Sequence, residues 1–427
     1  MARYCFVHAA DLHLDTPFEG VRRAAPEVQA ALVDASLEAW DALVELTLER
    51  DALFLLLAGD LYDGARRGLR AQLRLLRGIE RLCAAGVRVF AVQGNHDPVG
   101  EGWSAVRRWP EGFTLFGSEA VANVPLERGG SRLATVYGIS YAERATRENL
   151  ALRFRRGSEE GLHVGLLHCN VGGASGHEPY SPCSVEDLAR SRLDYWALGH
   201  IHTQRILREG DPWIVYPGSL QGRSPKPGEL GAKGAVVVEV EGQRVTGVEP
   251  VFVDRVRFLA PEVDAARCSD LADLERALGS AAEAARAENE GRALVLRARL
   301  VGRSALGADL RRPGALAELL AALRDRSEGL SPWLWWESLQ SELRAELDRE
   351  ALRARDDFSS ELLAASDALA LDDEARASFL DRVLRDLPPR ERGVDLPALA
   401  QADGAALLAE GERSALELLA DATPERE

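Results

Sequence analysis

Five short stretches of this 427-residue sequence carry residue types able to hold a cation: "DLH" (11–13), "GDLYD" (59–63), "GNHD" (94–97), a strand-like run ending at His168, and "GHIH" (199–202). Carboxylate, amide and imidazole donors without a thiolate set suit manganese, iron or zinc better than calcium. The two histidines of "YWALGHIHTQ" alone admit three readings: a packing accident, a hydrogen-bonded turn, or a pair of metal ligands. Taken singly, Asp11 is equally a helix cap, Asn95 a turn former and His168 a core histidine. Together, Asp11, His13, Asp60, Asn95, His168, His200 and His202 are the number of groups that two cations sharing one carboxylate require. Such a pair sits roughly 3.5–4 Å apart and activates water beside a phosphoryl group.

These residues must be gathered by something, and the surrounding pattern supplies it. "YCFVHAAD", "ALFLLLAGD" and "VRVFAVQGNHD" read as apolar strands, separated by helices over "PEVQAALVDASLEAWDALVELTLERD" and "LRAQLRLLRGIERLCAAG". Strands alternating with long helices imply crossovers and a largely parallel, buried sheet, whose carboxyl edge collects functional groups. "LATVYGIS", "HVGLLHCN", "DYWALGHIH", "WIVYPGS" and "GAVVVEVEG" suggest a second sheet packed on the first. Each candidate donor falls at a strand end, and in Asp-x-His or His-x-His alternate side chains reach the same side of an extended chain. Glycines before Asp60, Asn95 and His200 permit sharp turns. His8, His163 and His177 lie off this pattern and read as structural or exposed.

Beyond about residue 258 the texture changes. "DLADLERALGSAAEAARAENEG" and "PGALAELLAALRDR" are helical, "RALVLRARLVG" alternates like a strand, and "SPWLWWESL" is an aromatic cluster. We expect a catalytic domain over 1–255, a small α+β domain over 256–345, and a helical region over 346–427. The last reads either as an appendage or as a docking surface for a partner helix.

Composition fits a soluble globular protein, 46% hydrophobic and 28% charged. No apolar run is long enough to span a bilayer, and "MARYCFVHAADLHLD" lacks the marks of a secretory signal, so a cytoplasmic location without membrane contact is expected. Five cysteines without paired spacing read as reduced thiols, Cys169 among them as a packed thiol. A net charge of −16 argues against nucleic acid at first sight. Residues 1–250, however, hold 28 Lys and Arg against 32 Asp and Glu, and residues 251–427 hold 24 against 36. The acidity is thus concentrated away from the candidate site.

The ordered motifs "DLH", "GDLYD", "GNHD", "LLH" and "GHIH" resemble the signature of the calcineurin-like metallophosphoesterases over residues 3 to about 240. "HAADLHLDTPF" and "DYWALGHIH" followed by "YPGSLQGR" resemble the SbcD-type DNA repair nucleases, particularly the YhaO-like branch. The resemblance implies an α/β fold: a four-layer sandwich of two mixed sheets flanked by helices, with a small α+β capping domain and C-terminal helices. It implies that Asp11, His13, Asp60 and His202 hold one metal, and Asp60, Asn95, His168 and His200 the other, usually manganese. It makes His96 the catalytic histidine, with Asp97 as its orienting partner. Archaeal and eukaryotic relatives carry a histidine where this sequence has Asp63, which leaves the role of Asp63 open. It also implies DNA as substrate and an SbcC-type coiled-coil ATPase bound at the C-terminal helices; a homodimer is a further partner considered.

The expected function is therefore a two-metal phosphodiesterase, an exonuclease or endonuclease subunit acting in DNA repair. Alternatives are a phosphatase or cyclic-nucleotide phosphodiesterase, and a DNA-end-binding scaffold with a vestigial metal site. Arg66, Arg67, Arg70, Arg74, Arg107 and Arg108 either meet phosphates or form solvated helix faces. Arg223, in "GSLQGRSPKPGE", is expected near substrate.

Overall fold

The apolar segment after Ala2 forms strand β1 (Arg3–Ala9), with every residue but the first buried. Such a strand is sheathed on both faces, and the fold is built around it. A computed structural model describes residues 2–16, 26–64, 68–101, 103–173, 180–289, 291–344, 349–386 and 396–422. After β1 come α1 (Pro26–Glu49), β2 (Phe54–Ala58), α2 (Leu69–Ala84), β3 (Arg88–Val92) and β4 (Phe113–Leu115). There follow β5 (Ala122–Arg128), β6 (Ser131–Gly138), β7 (Leu162–His168), α3 (Val185–Arg190), β8 (Tyr195–Gly199), β9 (Arg205–Arg208), β10 (Trp213–Tyr216), β11 (Gly234–Glu241) and β12 (Arg244–Phe252).

Two six-stranded sheets result, in the orders β12-β11-β1-β2-β3-β4 and β5-β6-β7-β8-β10-β9. Their inner faces share one core in which Phe6, Phe54, Phe90 and Val236 meet Val136, Val164, Tyr195 and Val215. Phe6 stacks on Phe54 at 4.6 Å and meets the Tyr195 ring edge-on at 5.2 Å. Outside the first sheet, Trp40, Leu43, Leu75 and Ile79 of α1 and α2 cover Val7, Leu55 and Val89. Outside the second, Leu188 of α3 packs with Phe154, Trp196 and Leu198. The order helix, sheet, sheet, helix is the expected four-layer α/β sandwich.

One strand sits elsewhere than its sequence position suggests. The "GAVVVEVEG" segment, expected in the second sheet, is β11 of the first, antiparallel to β1 with Val7 opposite Val237. β2 occupies one edge of β1, and β11, with its buried run Gly234–Val238, pairs with the other edge and keeps the backbone groups of β1 bonded on both sides. This hairpin with β12 makes the first sheet mixed rather than parallel.

Farther along lie β13 (Val256–Leu259), β14 (Glu262–Asp264), α4 (Leu271–Glu288), β15 (Ala293–Val301), α5 (Leu306–Leu310), α6 (Ala315–Arg326) and β16 (Leu334–Ser341). The strands form a sheet of order β13-β15-β14 with β16 beside β15, so the tryptophan-rich cluster is a strand. Trp336 is buried and donates from Nε1 to Ser327 Oγ at 3.1 Å. The chain ends in α7 (Arg349–Arg353), α8 (Phe358–Leu371), α9 (Asp373–Asp386) and α10 (Leu396–Ala422), the last kinked at Asp403. Asp357 caps α8 by accepting from the amides of Ser359 and Ser360.

Two compact units can be drawn. One comprises Met1–Pro261, Ala281–Ala298 and Leu320–Ser338; the other comprises Glu262–Ser280, Arg299–Leu319 and Leu339–Glu427. The first holds both six-stranded sheets. In the second, Arg349 pairs with the buried Glu412 at 2.6 Å. Among the described residues no helix is long and apolar enough to cross a membrane.

The inter-sheet core makes Phe6→Ala a direct stability test. Emptying a ring's volume from a fully buried stack should cost about 3–5 kcal/mol. Urea unfolding checks this, and a loss below about 1 kcal/mol would show that the two sheets do not depend on that contact.

Candidate metal centre

Each donor is set by where a buried strand stops. Asp11 and His13 follow β1, Asp60 follows β2, Asn95 follows β3, His168 closes β7, and His200 and His202 follow β8. The amides of Asp11 and His13 donate to the carbonyls of Gly59 and Asp60, tying the first two strand ends together. Asp11, His13, Asp60 and His200 have φ of 50°, 43°, 51° and 104°, the left-handed region that costs a non-glycine residue about 1–3 kcal/mol. The glycines before the donors serve different ends. Gly59 has φ 92°, the turn freedom expected of it. At Gly199 the reason is close approach, since a Cβ would lie 1.9 Å from the Ala58 carbonyl oxygen.

The loop tips bring the side chains into one buried cluster. Asp60 Oδ2 lies 3.8 Å from His13 Nε2 and 3.4 Å from His168 Nε2, so a single oxygen faces both sides. On one side, His13 Nε2 is 3.4 Å from His202 Nε2, which is 3.9 Å from Asp11 Oδ1. On the other, His168 Nε2 is 3.0 Å from Asn95 Oδ1. The His200 ring lies 5.3 Å from that of His168, and its amide donates to both oxygens of Asp11. The ligand atoms of Asp11, His13 and His202, and those of Asp11, Asp60 and His168, fall within 4.8 Å of one another. Five of the seven expected donors are thus gathered by their ligand atoms, with the Asn95 oxygen beside His168, while His200 is placed nearby by its ring and its backbone amide.

Burial sets the charge of the innermost groups. Asp11 is held well above the usual carboxylate range, by burial first and by neighbouring Asp60 second. Burial also lowers His13 and His168, keeping them neutral. His168 Nδ1 must donate to the Ala58 carbonyl at 2.9 Å, which turns its Nε2 lone pair toward Asn95 Oδ1 and Asp60 Oδ2. Acceptors therefore converge on acceptors, an arrangement that a bound cation satisfies. These are candidate metal-binding residues by geometry and by donor chemistry.

The partner that His96 meets differs from the sequence expectation. His96 Nδ1 lies 2.5 Å from Asp63 Oδ1, and its ring sits 4.9 Å from that of His13. Asp97, expected to orient His96, instead accepts from the amides of Leu61 and Gly94 at 3.0 and 2.8 Å, pinning the loops after β2 and β3 together. Both Asp97 oxygens are taken up by those backbone amides, and Asp63, from the loop after β2, meets the imidazole. Burial opposes a charge on His96, but the hydrogen bond to Asp63 and the nearby Asp60 outweigh it and raise its pKa. Asp63 is lowered chiefly by the same hydrogen bond.

Arg223 reaches the site, its guanidinium 3.5 Å from Asp63 and 3.3 Å from Glu229. Glu229, which sequence reasoning missed, accepts from His202 Nδ1 at 2.7 Å. Burial would raise Glu229, yet the His202 hydrogen bond and nearby cations leave it at about 2. Lys233 donates from Nζ to the carbonyls of His202 and Gly228. No spacing signal marks either residue; both lie in or near "GSLQGRSPKPGE", the loop that carries Arg223. Arg70 and Arg74 pair with Asp34 and Asp41 on helix faces, Arg107 and Arg108 are exposed, and Arg66, Arg67 and His177 lie outside the described residues. His8 and His163 are buried structural residues bonded to Tyr195 and Tyr137. Cys169 is a buried thiol 3.7 Å from that of Cys183.

Comparison with known proteins places the domains in families. Residues 6–204 match the family of calcineurin-like phosphoesterases, and residues 258–344 match the middle domain of metallophosphoesterase YhaO. Over residues 6–204, then, the chain carries a calcineurin-like metallophosphoesterase domain. Among individual proteins, the chain is 40% identical over 235 residues to the uncharacterized metallophosphoesterase YhaO of Bacillus subtilis, covering 55% of this chain and 57% of that one. It is 25% identical over 224 residues to the DNA double-strand break repair protein Mre11 of Sulfurisphaera tokodaii, covering 51% and 56%. The Mre11 protein of Methanocaldococcus jannaschii is 25% identical over 228 residues, with 51% and 56% covered. The chain spans a little over half the length of these relatives.

The Asp63 contact sets a pH signature. A histidine raised by its partner contributes stability that is full below its unfolded pKa and lost as pH rises through the folded one. His96 should therefore titrate above an ordinary histidine in the metal-free chain, and Asp63→Asn should move its midpoint down. Histidine C2–H NMR titration checks this, and an unmoved midpoint contradicts the pairing.

Proposed function

We propose that this protein is a two-metal phosphodiesterase that cuts DNA in the cytoplasm. The observation that carries the reading is Asp60 Oδ2 facing His13 on one side and His168 on the other, with His96 alongside. Bound there, two divalent cations (manganese in this reading, with iron or zinc also suited to the donors) would supply charge to the phosphoryl oxygens and activate water. Asp11, His13, Asp60 and His202 would hold one; Asp60, Asn95, His168 and His200 the other.

The protein's own groups complete the chemistry. Asp63 fixes His96 through Nδ1 and keeps it protonated, leaving Nε2 to deliver a proton to the departing alkoxide. Arg223, held by Asp63 and Glu229, offers a fixed cation beside the pair for a phosphate oxygen. A polymeric substrate is favoured over a small one by the chain beyond the catalytic domain, and by relatives named as DNA double-strand break repair proteins. In this reading residues 1–255 are catalytic, 256–345 cap the substrate, and 346–427 dock an SbcC-type coiled-coil ATPase. Phe358 and Leu371 on α8 and Leu418 on α10 are exposed there.

Purified protein with Mn²⁺ should cut labelled linear DNA in preference to small phosphoesters. Cleavage of small phosphoesters alone would make it a phosphatase, and cleavage of nothing would leave an end-binding scaffold. His96→Asn should keep both metals but lose activity by a factor of about 10²–10⁴, the usual worth of a general acid. Asp60→Asn should lose both metals, and a variant still binding two ions would contradict the shared-ligand assignment.

A further inference from the structure

The two sides of the cluster are supported from behind by different groups. His168 Nδ1 is bonded to the neutral Ala58 carbonyl at 2.9 Å, whereas His202 Nδ1 meets the Glu229 carboxylate at 2.7 Å. A carboxylate behind an imidazole fixes its tautomer and ring plane and makes the facing nitrogen a better donor than a carbonyl does. Glu229 is itself held firmly. Its Oε2 accepts from the Arg223 amide at 3.1 Å, its Oε1 is 3.3 Å from the Arg223 guanidinium, and its amide donates to the Lys226 carbonyl. Lys233 Nζ bonds the carbonyls of both His202 and Gly228, locking the backbone at each end of the pair. His13, on the same side, brings no such support, because its Nδ1 is buried without a partner.

We propose that Glu229 is a positioning residue that sets the metal affinity of one half of the centre, the half built on Asp11, His13 and His202, by fixing His202 through Nδ1. This rests on the two-metal reading above. The half containing Asn95 and His168 is oriented by Ala58 and does not depend on Glu229. The two cations therefore bind with separately adjustable strengths, and the carboxylate that adjusts one of them lies some thirty residues beyond its histidine in sequence.

Calorimetric Mn²⁺ titration tests this without reference to turnover. The wild-type chain should take up two ions. In Glu229→Gln one should weaken by about 10–100-fold, the usual effect of removing such an outer partner, while the other stays unchanged. His202→Asn should abolish the same binding event, and adding Glu229→Gln to it should change nothing further, since the glutamate acts through the histidine. Co²⁺ absorption spectra should change for one site only. Equal weakening of both ions, or of neither, overturns the proposal while leaving the two-metal reading intact. A wild-type chain that binds no cation overturns both. Should Glu229→Gln fail to fold, ¹⁵N-histidine NMR of the wild-type chain decides: His202 protonated at Nδ1 supports the proposal, and protonated at Nε2 overturns it.

Discussion

Two carboxylates buried side by side at the ends of β1 and β2, Asp11 and Asp60, govern this site. Asp11 and Asp60 are each 1% exposed, and Asp11 is pushed far up by its burial and by Asp60. Leaving such a pair ionised in an apolar interior is costly unless something cationic shares the space. Of the neighbouring histidines, His13 and His168 offer no relief, because burial keeps both neutral, whereas His96 is raised on balance by its hydrogen bond to Asp63 and by Asp60. Every other feature of the site, from the left-handed backbone at the loop tips to the outer partners of the imidazoles, is consistent with holding these groups where a cation would meet them.

The sheets make that arrangement affordable in conformational terms. Strands buried on both faces, such as β2 and β8, are rigid platforms, and their ends have little freedom. Four site residues in the left-handed region are tolerated because loop amides and carbonyls are cross-tied: Asp11 to Gly59, His13 to Asp60, and Asp97 to Leu61 and Gly94. Strain of this kind persists only where the neighbouring structure over-determines it, and it is found characteristically at functional sites.

Much of this could be read from the sequence, for reasons that differ between elements. The strands β1, β2, β3, β7 and β8 announce themselves because wholly buried strands are continuous apolar runs, and donors at the end of each run stand out against them. Strand pairing was less legible: nothing local in "GAVVVEVEG" says that it closes on β1 rather than on the second sheet. Short or half-exposed strands such as β5 and β9 lack the apolar signal altogether. The resemblance points to Asp97 as the partner of His96, while the fold delivers Asp63 from another loop, a contact that no sequence spacing encodes. Glu229 carried no signal, since a buried carboxylate in a Gly- and Pro-rich loop is indistinguishable in sequence from a solvated one until its histidine is found beside it.

The proposed pair of cations turns on a single oxygen, Asp60 Oδ2, which faces His13 on one side and His168 on the other. Anomalous diffraction at the manganese edge, from crystals of the wild-type chain grown with Mn²⁺, examines it most directly. Two peaks roughly 3.5–4 Å apart, with the Asp60 carboxylate between them, are the expected result. No peak at this cluster, or a lone ion that Asp60 does not touch, would contradict it.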